Sequence, residues 1–196
     1  MFFMGQEYGS SHPFLYFSDQ KGEIGDKVRK GRLSFLAQFC SICDTNESAE
    51  LIPDPTNPET FYRCKLAPEE RTTKEAERQQ AFFRDLLRLR REDPVIAQQH
   101  HGMLDGAVLS EECFLLRYFS GHGQTHRLLL VNLGLAFKLE HVPEPLIAPP
   151  QGTQWKMIWN SEQPEYGGSS VATPVTDTGW QISGPATILL EAITRF

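Results

Sequence analysis

A chain of 196 residues has room for one large domain or two small ones, and 40% hydrophobic content with 11% aromatic residues supports a packed core. The 19 Lys and Arg are outnumbered by 25 Asp and Glu, giving a net charge of −6, so no basic field exists to attract a phosphate backbone and nucleic acid is excluded as an expected partner. Apolar runs such as Leu128 to Leu133 fall far short of the ~20 residues a bilayer span requires, so no membrane span is expected.

Met1-Phe2-Phe3-Met4 lacks a basic segment before it and is ended by Gly5-Gln6-Glu7, which fails the pattern of a signal peptide and leaves a cytoplasmic location as the expectation. The same four residues, all apolar, suit a strand buried on both faces. No partner strand precedes them, so the reading expects the chain to be the tail of something longer. Residues Gly5 to Gln20 read as a loop broken by Gly5, Gly9 and Pro13, yet rich in aromatics at Tyr8, Phe14, Tyr16 and Phe17. Ile24 to Phe39 carries Val28, Leu33, Phe35, Leu36 and Phe39 among basic residues and is expected to be a helix despite Gly31.

Asp44 to Pro68 contains Pro53, Pro55, Pro58 and Pro68, and no regular element is expected there. Four cysteines are too few for a disulfide scaffold. Cys40-Ser41-Ile42-Cys43 has the spacing of half a zinc site, but Cys64 and Cys113 are solitary and no histidine lies close by, so structural thiols are expected, with neither metal nor cofactor. Thr72-Thr73-Lys74-Glu75 has capping-box spacing, and Phe82, Phe83, Leu86, Leu87 and Leu89 follow at helical steps until Asp93-Pro94, so Thr73 to Arg91 is the clearest helix. Its Arg84, Arg88, Arg90 and Arg91 alternate with Asp85, Glu92 and Asp93, as a solvated face with local ion pairs would.

Beyond Pro94 short apolar or β-branched runs recur: Met103 to Leu109, Cys113 to Phe119, Arg127 to Leu133, Phe137 to Val142, Gln154 to Trp159 and Thr187 to Ile193. Their spacing predicts an antiparallel sandwich or barrel, with Ser120 to Gln124 as a hairpin link and a domain boundary near residues 93 to 100. Trp155 and Trp159 are four apart and are expected to share a face; together with Trp180 they raise the question of a glycan platform, although core packing fits alternating strand positions better.

No catalytic constellation can be assembled from spacing. A phosphate loop, a Gly-x-Ser-x-Gly elbow and a His-Glu-x-x-His run are all absent from the sequence. His100-His101 reads as a linker pair. Glu7 and Asp19 flank the aromatic loop as a carboxylate pair whose spacing the sequence does not set.

Phe3-Met4-Gly5-Gln6-Glu7-Tyr8-Gly9, followed by Pro13-Phe14-Leu15-Tyr16-Phe17-Ser18-Asp19, resembles the last barrel strand of α-amylase-superfamily glycoside hydrolases, and within them the maltooligosyltrehalose trehalohydrolases. Val28 to Arg32, Pro53-Asp54-Pro55 with Thr60-Phe61 and Lys65-Leu66, Leu86 to Pro94, and Trp159-Asn160-Ser161-Glu162 with Tyr166-Gly167-Gly168 continue the likeness in order. The last of these segments argues against a branching or debranching relative.

The resemblance implies an α+β chain: the last strand and helices of a (β/α)8 barrel over residues 1–95, then an antiparallel C-terminal β-sandwich over residues 96–196. It implies the C-terminal part of an enzyme that releases trehalose by cutting the α-1,4 bond beside a terminal trehalose unit. The family's nucleophilic Asp, acid/base Glu and stabilising Asp lie on earlier strands, so no catalytic residue maps here and the chain alone is expected to be inactive. Glu7, Tyr8, Phe14 and Tyr16 are the implied substrate contacts at the barrel mouth, where rings stack on sugars. The expected partners are α-glucan or maltooligosyltrehalose and the missing barrel portion; the alternative is a non-catalytic β-sandwich module that binds α-glucan or a protein. Residues 1–40, with apolar surface left uncovered, are expected to be weakly protected or to self-associate.

Overall fold

In the computed structural model, which describes residues 2–39, 52–98, 101–120, 125–139, 143–169, 172–176 and 179–195, Phe3 does not enter a strand. Its amide donates to Gln6 Oε1 at 3.2 Å and its carbonyl accepts from Gln6 N at 3.2 Å, so both of its ladder groups are spent on a local turn. This corrects the expectation of a strand at the start of the chain. A strand is stabilised by the neighbour that completes its hydrogen bonds, and among the described residues no strand pairs with Phe2 to Met4.

Contacts group the chain into two compact units, Met1–Glu77 and Arg78–Phe196. In the first, helix α1 spans Gly22–Leu36, three residues short of the expected end, and Gly31 is tolerated within it. A short helix α2, Pro58–Arg63, lies where no regular element was expected. Pro58 occupies its first turn, where a missing N–H costs nothing, and the Asn57 side chain caps the Glu59 amide at 2.9 Å. The interior of this unit is small and partly polar: Tyr8, Thr60, Cys64 and Ala76 are buried. Cys64 Sγ accepts from Leu15 N at 3.3 Å and donates to the Thr60 carbonyl at 3.2 Å, tying the aromatic loop to α2. Phe2, Phe3, Phe14, Tyr16, Phe35 and Tyr62 are all exposed.

Helix α3 runs Lys74–Glu92, and Thr73 Oγ1 accepts the Ala76 amide at 3.1 Å, so the cap lies one residue later than the Thr72-to-Glu75 spacing implies, Thr72 Oγ1 donating instead to the Glu69 carbonyl. From Arg78 onward it belongs to the second unit, so the division falls at 77/78 and not near 95. The reason is packing. Phe82, Leu86 and Leu89 face the sheet residues Leu129, Trp159 and Leu189 across a space of about 300 Å³.

That sheet contains β1 (Leu104–Ser110), β2 (Cys113–Tyr118), β3 (Arg127–Asn132), β5 (Thr153–Asn160) and β8 (Ala186–Thr194), antiparallel in the order β1-β2-β3-β8-β5. A smaller sheet joins β4 (Phe137–Leu139), β7 (Gly179–Ile182) and β6 (Val175–Thr176) in the order β4-β7-β6. Register places Leu115 opposite Leu130, Leu130 opposite Ile188, Leu128 opposite Leu190 and Trp155 opposite Ala192, so these side chains share one face and form the core. Ile147 and, from the smaller sheet, Trp180 pack on that core. The opposite face, carrying Leu116, Leu129 and Leu189, is the one α3 covers. A β-sheet domain after the helices is therefore present, layered as helix, large sheet and small sheet.

All six strands expected beyond Pro94 form, the fourth as Phe137–Leu139 with residues 140–142 outside the described residues; β6 and β7 were not foreseen. Strand β5 carries a register shift between Met157 and Trp159 that leaves Ile158 without its own cross-strand partner. A bulge of one residue inverts the alternation beyond it. Trp155 pairs with Ala192 and faces the core, whereas Trp159 pairs with Leu189 and faces α3. The expectation that the two tryptophans share a face is thereby corrected.

Two polar links secure α3 to the sheet. Asp93 is not on a solvated face: its Oδ2 accepts from Arg127 Nε at 2.8 Å, with both side chains buried, and its Oδ1 accepts the Val95 and Ile96 amides at 3.0 Å each. Asp85 accepts from the Tyr166 hydroxyl, which in turn accepts from Trp159 Nε1 at 3.0 Å. Burial first, and the Asp85 hydrogen bond second, push the Tyr166 hydroxyl up to about 12.

Candidate functional site

Glu7 and Tyr8 lie in a 3-10 turn, Gln6–Tyr8, entered and left through glycines with left-handed backbone, Gly5 at φ 82° and Gly9 at φ 68°. A Cβ on Gly5 would come within 2.7 Å of Ser10 Cβ, so this turn needs glycine for both its angle and its closeness. The turn places the two expected contact residues differently. Glu7 is exposed, whereas Tyr8 is 3% exposed, with the Arg71 guanidinium 5.1 Å from its ring centre and its enclosed hydroxyl unpartnered among the described residues. Tyr8 is an interior residue of the first unit.

Phe14 and Tyr16 are both exposed on the extended stretch that follows, Phe14 against Phe3 at 5.4 Å between ring centres and Tyr16 beneath Arg32 at 5.2 Å. Leu15 meets Cys64 through its backbone amide and carbonyl, and Phe17 stands edge-on to Phe61 at 5.0 Å. Glu70 anchors the beginning of this stretch: its carboxylate accepts from Ser10 Oγ at 2.6 Å and from both the hydroxyl and the amide of Ser11. Those hydrogen bonds, Ser10's first, hold the Glu70 carboxyl down to about 2.

The same backbone forms one wall of a cleft of about 600 Å³, whose rim includes Phe17, Asp19, Lys21, Asn57 and Phe61. Sequence reading noted Phe17 as an aromatic and Asp19 as half of a carboxylate pair but did not group them with Lys21 or Phe61. The signal that would have found the cleft is the Asp54-x-Thr56-Asn57-Pro58 run, which builds two consecutive side-chain-capped turns opposite the aromatic stretch. Glu7 is not part of this cleft.

Among the described residues no group of three or more His, Cys, Asp or Glu side chains is arranged to hold a metal ion. Cys40, Cys43 and His100 lie outside the described residues, as does most of the Ser120–Gln124 link. Cys64 and Cys113 are buried free thiols in different units, and burial pushes the Cys113 thiol up to about 11. No helix among the described residues is long and apolar enough to cross a membrane.

The tryptophans of the second unit are framework residues. Trp155 is buried beneath the Arg117 guanidinium, 4.9 Å away, and donates to the Ile147 carbonyl at 2.8 Å. Trp159 is buried against Phe82 and Tyr166. Trp180 is half-buried on the core. None of the three presents a full face for a sugar ring.

Residues 101–176 match a domain of unknown function, DUF3459. The chain is 41% identical over 138 residues to a malto-oligosyltrehalose trehalohydrolase of Deinococcus radiodurans, a match covering 68% of this chain and 21% of that protein. A malto-oligosyltrehalose trehalohydrolase of Mycobacterium tuberculosis is 37% identical over 108 residues, covering 54% of this chain and 18% of the other. The fold is similar to the crystal structure of a Salmonella typhimurium protein described as an alpha amylase, with TM-score 0.65 and 25% identity, over 96% of this chain and 27% of that one. The chain thus resembles the malto-oligosyltrehalose trehalohydrolases while spanning about a fifth of the length of these curated relatives.

Proposed function

We propose that this chain is the C-terminal part of a malto-oligosyltrehalose trehalohydrolase-like glycoside hydrolase, working with a (β/α)8 barrel that supplies the reacting carboxylates. The supporting observation is the match to the Deinococcus radiodurans enzyme, which takes in 68% of this chain but only 21% of the relative. Hydrolysis with retention requires one carboxylate to attack and a second, about 5–5.5 Å away, to protonate the leaving oxygen. The cleft of the first unit offers one carboxylate, Asp19, opposed by Lys21.

In this reading the first unit closes the barrel and lends it substrate contacts, with Glu7 accepting sugar hydroxyls and Phe14 and Tyr16 offering ring faces. Tyr8, being interior, shapes the turn that presents Glu7. The exposure of Phe2, Phe3 and Met4 supports a companion surface, because a contiguous apolar patch of this kind costs free energy in water unless covered. Cutting the α-1,4 bond beside a terminal trehalose unit would be the joint activity.

The test is complementation. The chain alone and the chain co-produced with the barrel portion of the Deinococcus radiodurans relative are assayed for trehalose released from maltooligosyltrehalose. Release only from the combined proteins is expected. Release by the chain alone, or none from a combination shown to associate, would overturn the reading.

A further inference from the structure

The cleft between the aromatic stretch and the start of α2 is built more carefully than a surface groove needs. Its two walls are joined by the Ser18 amide donating to the Pro55 carbonyl at 2.8 Å. Behind Pro55, Asp54 Oδ1 accepts the Thr56 amide at 2.9 Å and the Thr56 hydroxyl at 2.8 Å, and the Asp54 carbonyl accepts from Thr60 Oγ1 at 2.6 Å. Asn57 spends its side-chain oxygen on the Glu59 amide. These bonds fix the walls and use up their polar groups.

Four side chains on the rim are left with capacity for something else. Phe17 and Phe61, 39% and 41% exposed, stand edge to face and keep apolar surface in water. The Asp19 carboxylate has only the side-chain amide of its neighbour Gln20, at 3.5 Å, and among the described residues the Lys21 ammonium makes no hydrogen bond or ion pair, its carbonyl alone accepting from the Gly25 amide at 3.4 Å. One acceptor of negative charge and one donor of positive charge on a single rim cancel each other's long-range pull, so neither an anion nor a cation is preferred. A neutral polyol is. A pyranose has axial C–H groups that lie on an aromatic ring and equatorial hydroxyls that both donate to a carboxylate and accept from an ammonium. The volume of about 600 Å³ lies within the range of small-ligand sites and admits one or two such rings.

We propose that this cleft is a carbohydrate subsite that seats a glucosyl ring against Phe17 and Phe61, with hydroxyls hydrogen-bonded to Asp19 and Lys21. The assignment rests on the reading of the protein as part of a glycoside hydrolase but concerns residues outside the Glu7, Phe14 and Tyr16 set.

The full chain, isotopically labelled, is titrated with maltotriose and followed by amide NMR shifts. Saturable shifts are expected at residues 17–21 and 56–61. Phe17→Ala should weaken binding about tenfold through the lost ring face, and Asp19→Asn about fivefold through a weaker acceptor. Asp19→Asn removes no bond that holds the fold, so unchanged amide positions for Thr60 and Cys64 will show that the walls survive. No saturable shift at these residues, shifts confined to residues 7–16, or variants that bind maltotriose as the parent does would each overturn the assignment. A complementation failure with cleft binding intact would count against the hydrolase reading and leave the subsite standing.

Discussion

Trp155 and Trp159 stand four residues apart on β5 and face opposite sides of the sheet. Ile158 is the cause: it is the extra residue that takes the pairing from Met157 opposite Leu190 to Trp159 opposite Leu189. One inserted residue therefore divides two large rings between two interfaces, the core beneath Arg117 and the seam with α3. Deleting Ile158 should restore plain alternation, with Met157 still opposite Leu190 and Trp159 still opposite Leu189, and keep the two rings on opposite faces. The expected outcome is a cooperative urea transition in the deletion variant; Trp155→Phe and Trp159→Phe, each losing an indole hydrogen bond and some buried area, should also retain one and cost about 1–3 kcal/mol. A deletion variant without a cooperative transition would show that the two rings are not placed by the register described here.

The buried pair of Asp93 and Arg127 leads to a second expectation. Asp93 completes the turn after α3 through the Val95 and Ile96 amides and neutralises a guanidinium that is almost wholly enclosed. Removing Asp93 leaves the buried Arg127 with only the partly exposed Glu191, 3.4 Å away, so Asp93→Ala should destabilise the protein by up to about 3–5 kcal/mol. The double variant Asp93→Asn with Arg127→Met keeps a turn acceptor and removes the orphaned charge, and should recover part of that loss. Chemical denaturation of the three proteins checks the order; a double variant worse than the single would refute it.

Much of this was visible beforehand in the pattern of residues. Strands β1, β2, β3, β5 and β8 and helix α3 follow from apolar spacing because their side chains bury on faces that the spacing defines. The bulge at Ile158 was not visible, since Trp-Lys-Met-Ile-Trp alternates plausibly in either register and only the pairing with β8 decides. Strand β7 was missed because Gly179-Trp180-Gln181-Ile182 is short and takes its definition from β4 and β6 on either side. The opposite error occurred at Phe2 to Met4, where apolar composition suggested a strand but no ladder partner is present among the described residues. As for the candidate site, the aromatic stretch was legible as a loop, because Gly5, Gly9 and Pro13 break any periodicity there. The cleft was not, because it brings residues 17–21 to residues 55–61 through backbone bonds that leave no mark in spacing.

Glu70 makes the start of that stretch sensitive to acid. Its folded carboxyl is held down to about 2 from an ordinary 4.5 by the Ser10 and Ser11 hydrogen bonds. A depressed carboxyl contributes stability fully above its unfolded value and loses it as pH falls through the folded one. The Ser10 and Ser11 contacts should therefore weaken between pH 4.5 and about 2. Protection of the Ser11 amide, measured against its intrinsic exchange rate at each pH, is expected to fall across that window in the parent and to be low and flat in Glu70→Ala. An acid response unchanged by the substitution would assign it to another group.

Tyr166 gives the alkaline counterpart in the second unit. Its hydroxyl is raised from 10.0 to about 12 by burial and by donation to Asp85, so the folded state holds a proton that the unfolded state releases first. The stabilisation is complete below pH 10 and is lost as pH rises toward 12. Tyr166→Phe removes the titrating group together with the Trp159 and Asp85 hydrogen bonds, so it should lower stability at neutral pH and flatten the decline above pH 10. Denaturation midpoints at stepped alkaline pH distinguish this from general base sensitivity, which would leave the two curves parallel.

The two units should also differ in how deeply their amides are protected. The second buries Leu115, Leu128, Leu130, Ile188 and Leu190 completely, on three adjacent strands whose backbone groups pair on both sides. The first encloses Tyr8, Thr60, Cys64 and Ala76, of which two carry hydroxyls and one a thiol, and it leaves Phe14, Phe35 and Tyr62 in water. Opening free energy scales with the apolar area that must be re-exposed. Amides of α1 and α2 should therefore exchange by local opening, faster than those of β3 and β8, which should wait for global unfolding. Adding a barrel partner that covers Phe2, Phe3 and Met4 should slow exchange in residues 2–36 and leave β3 and β8 unaltered. Equal protection in the two units without any partner would mean that the first unit draws its stability from something other than the burial described here.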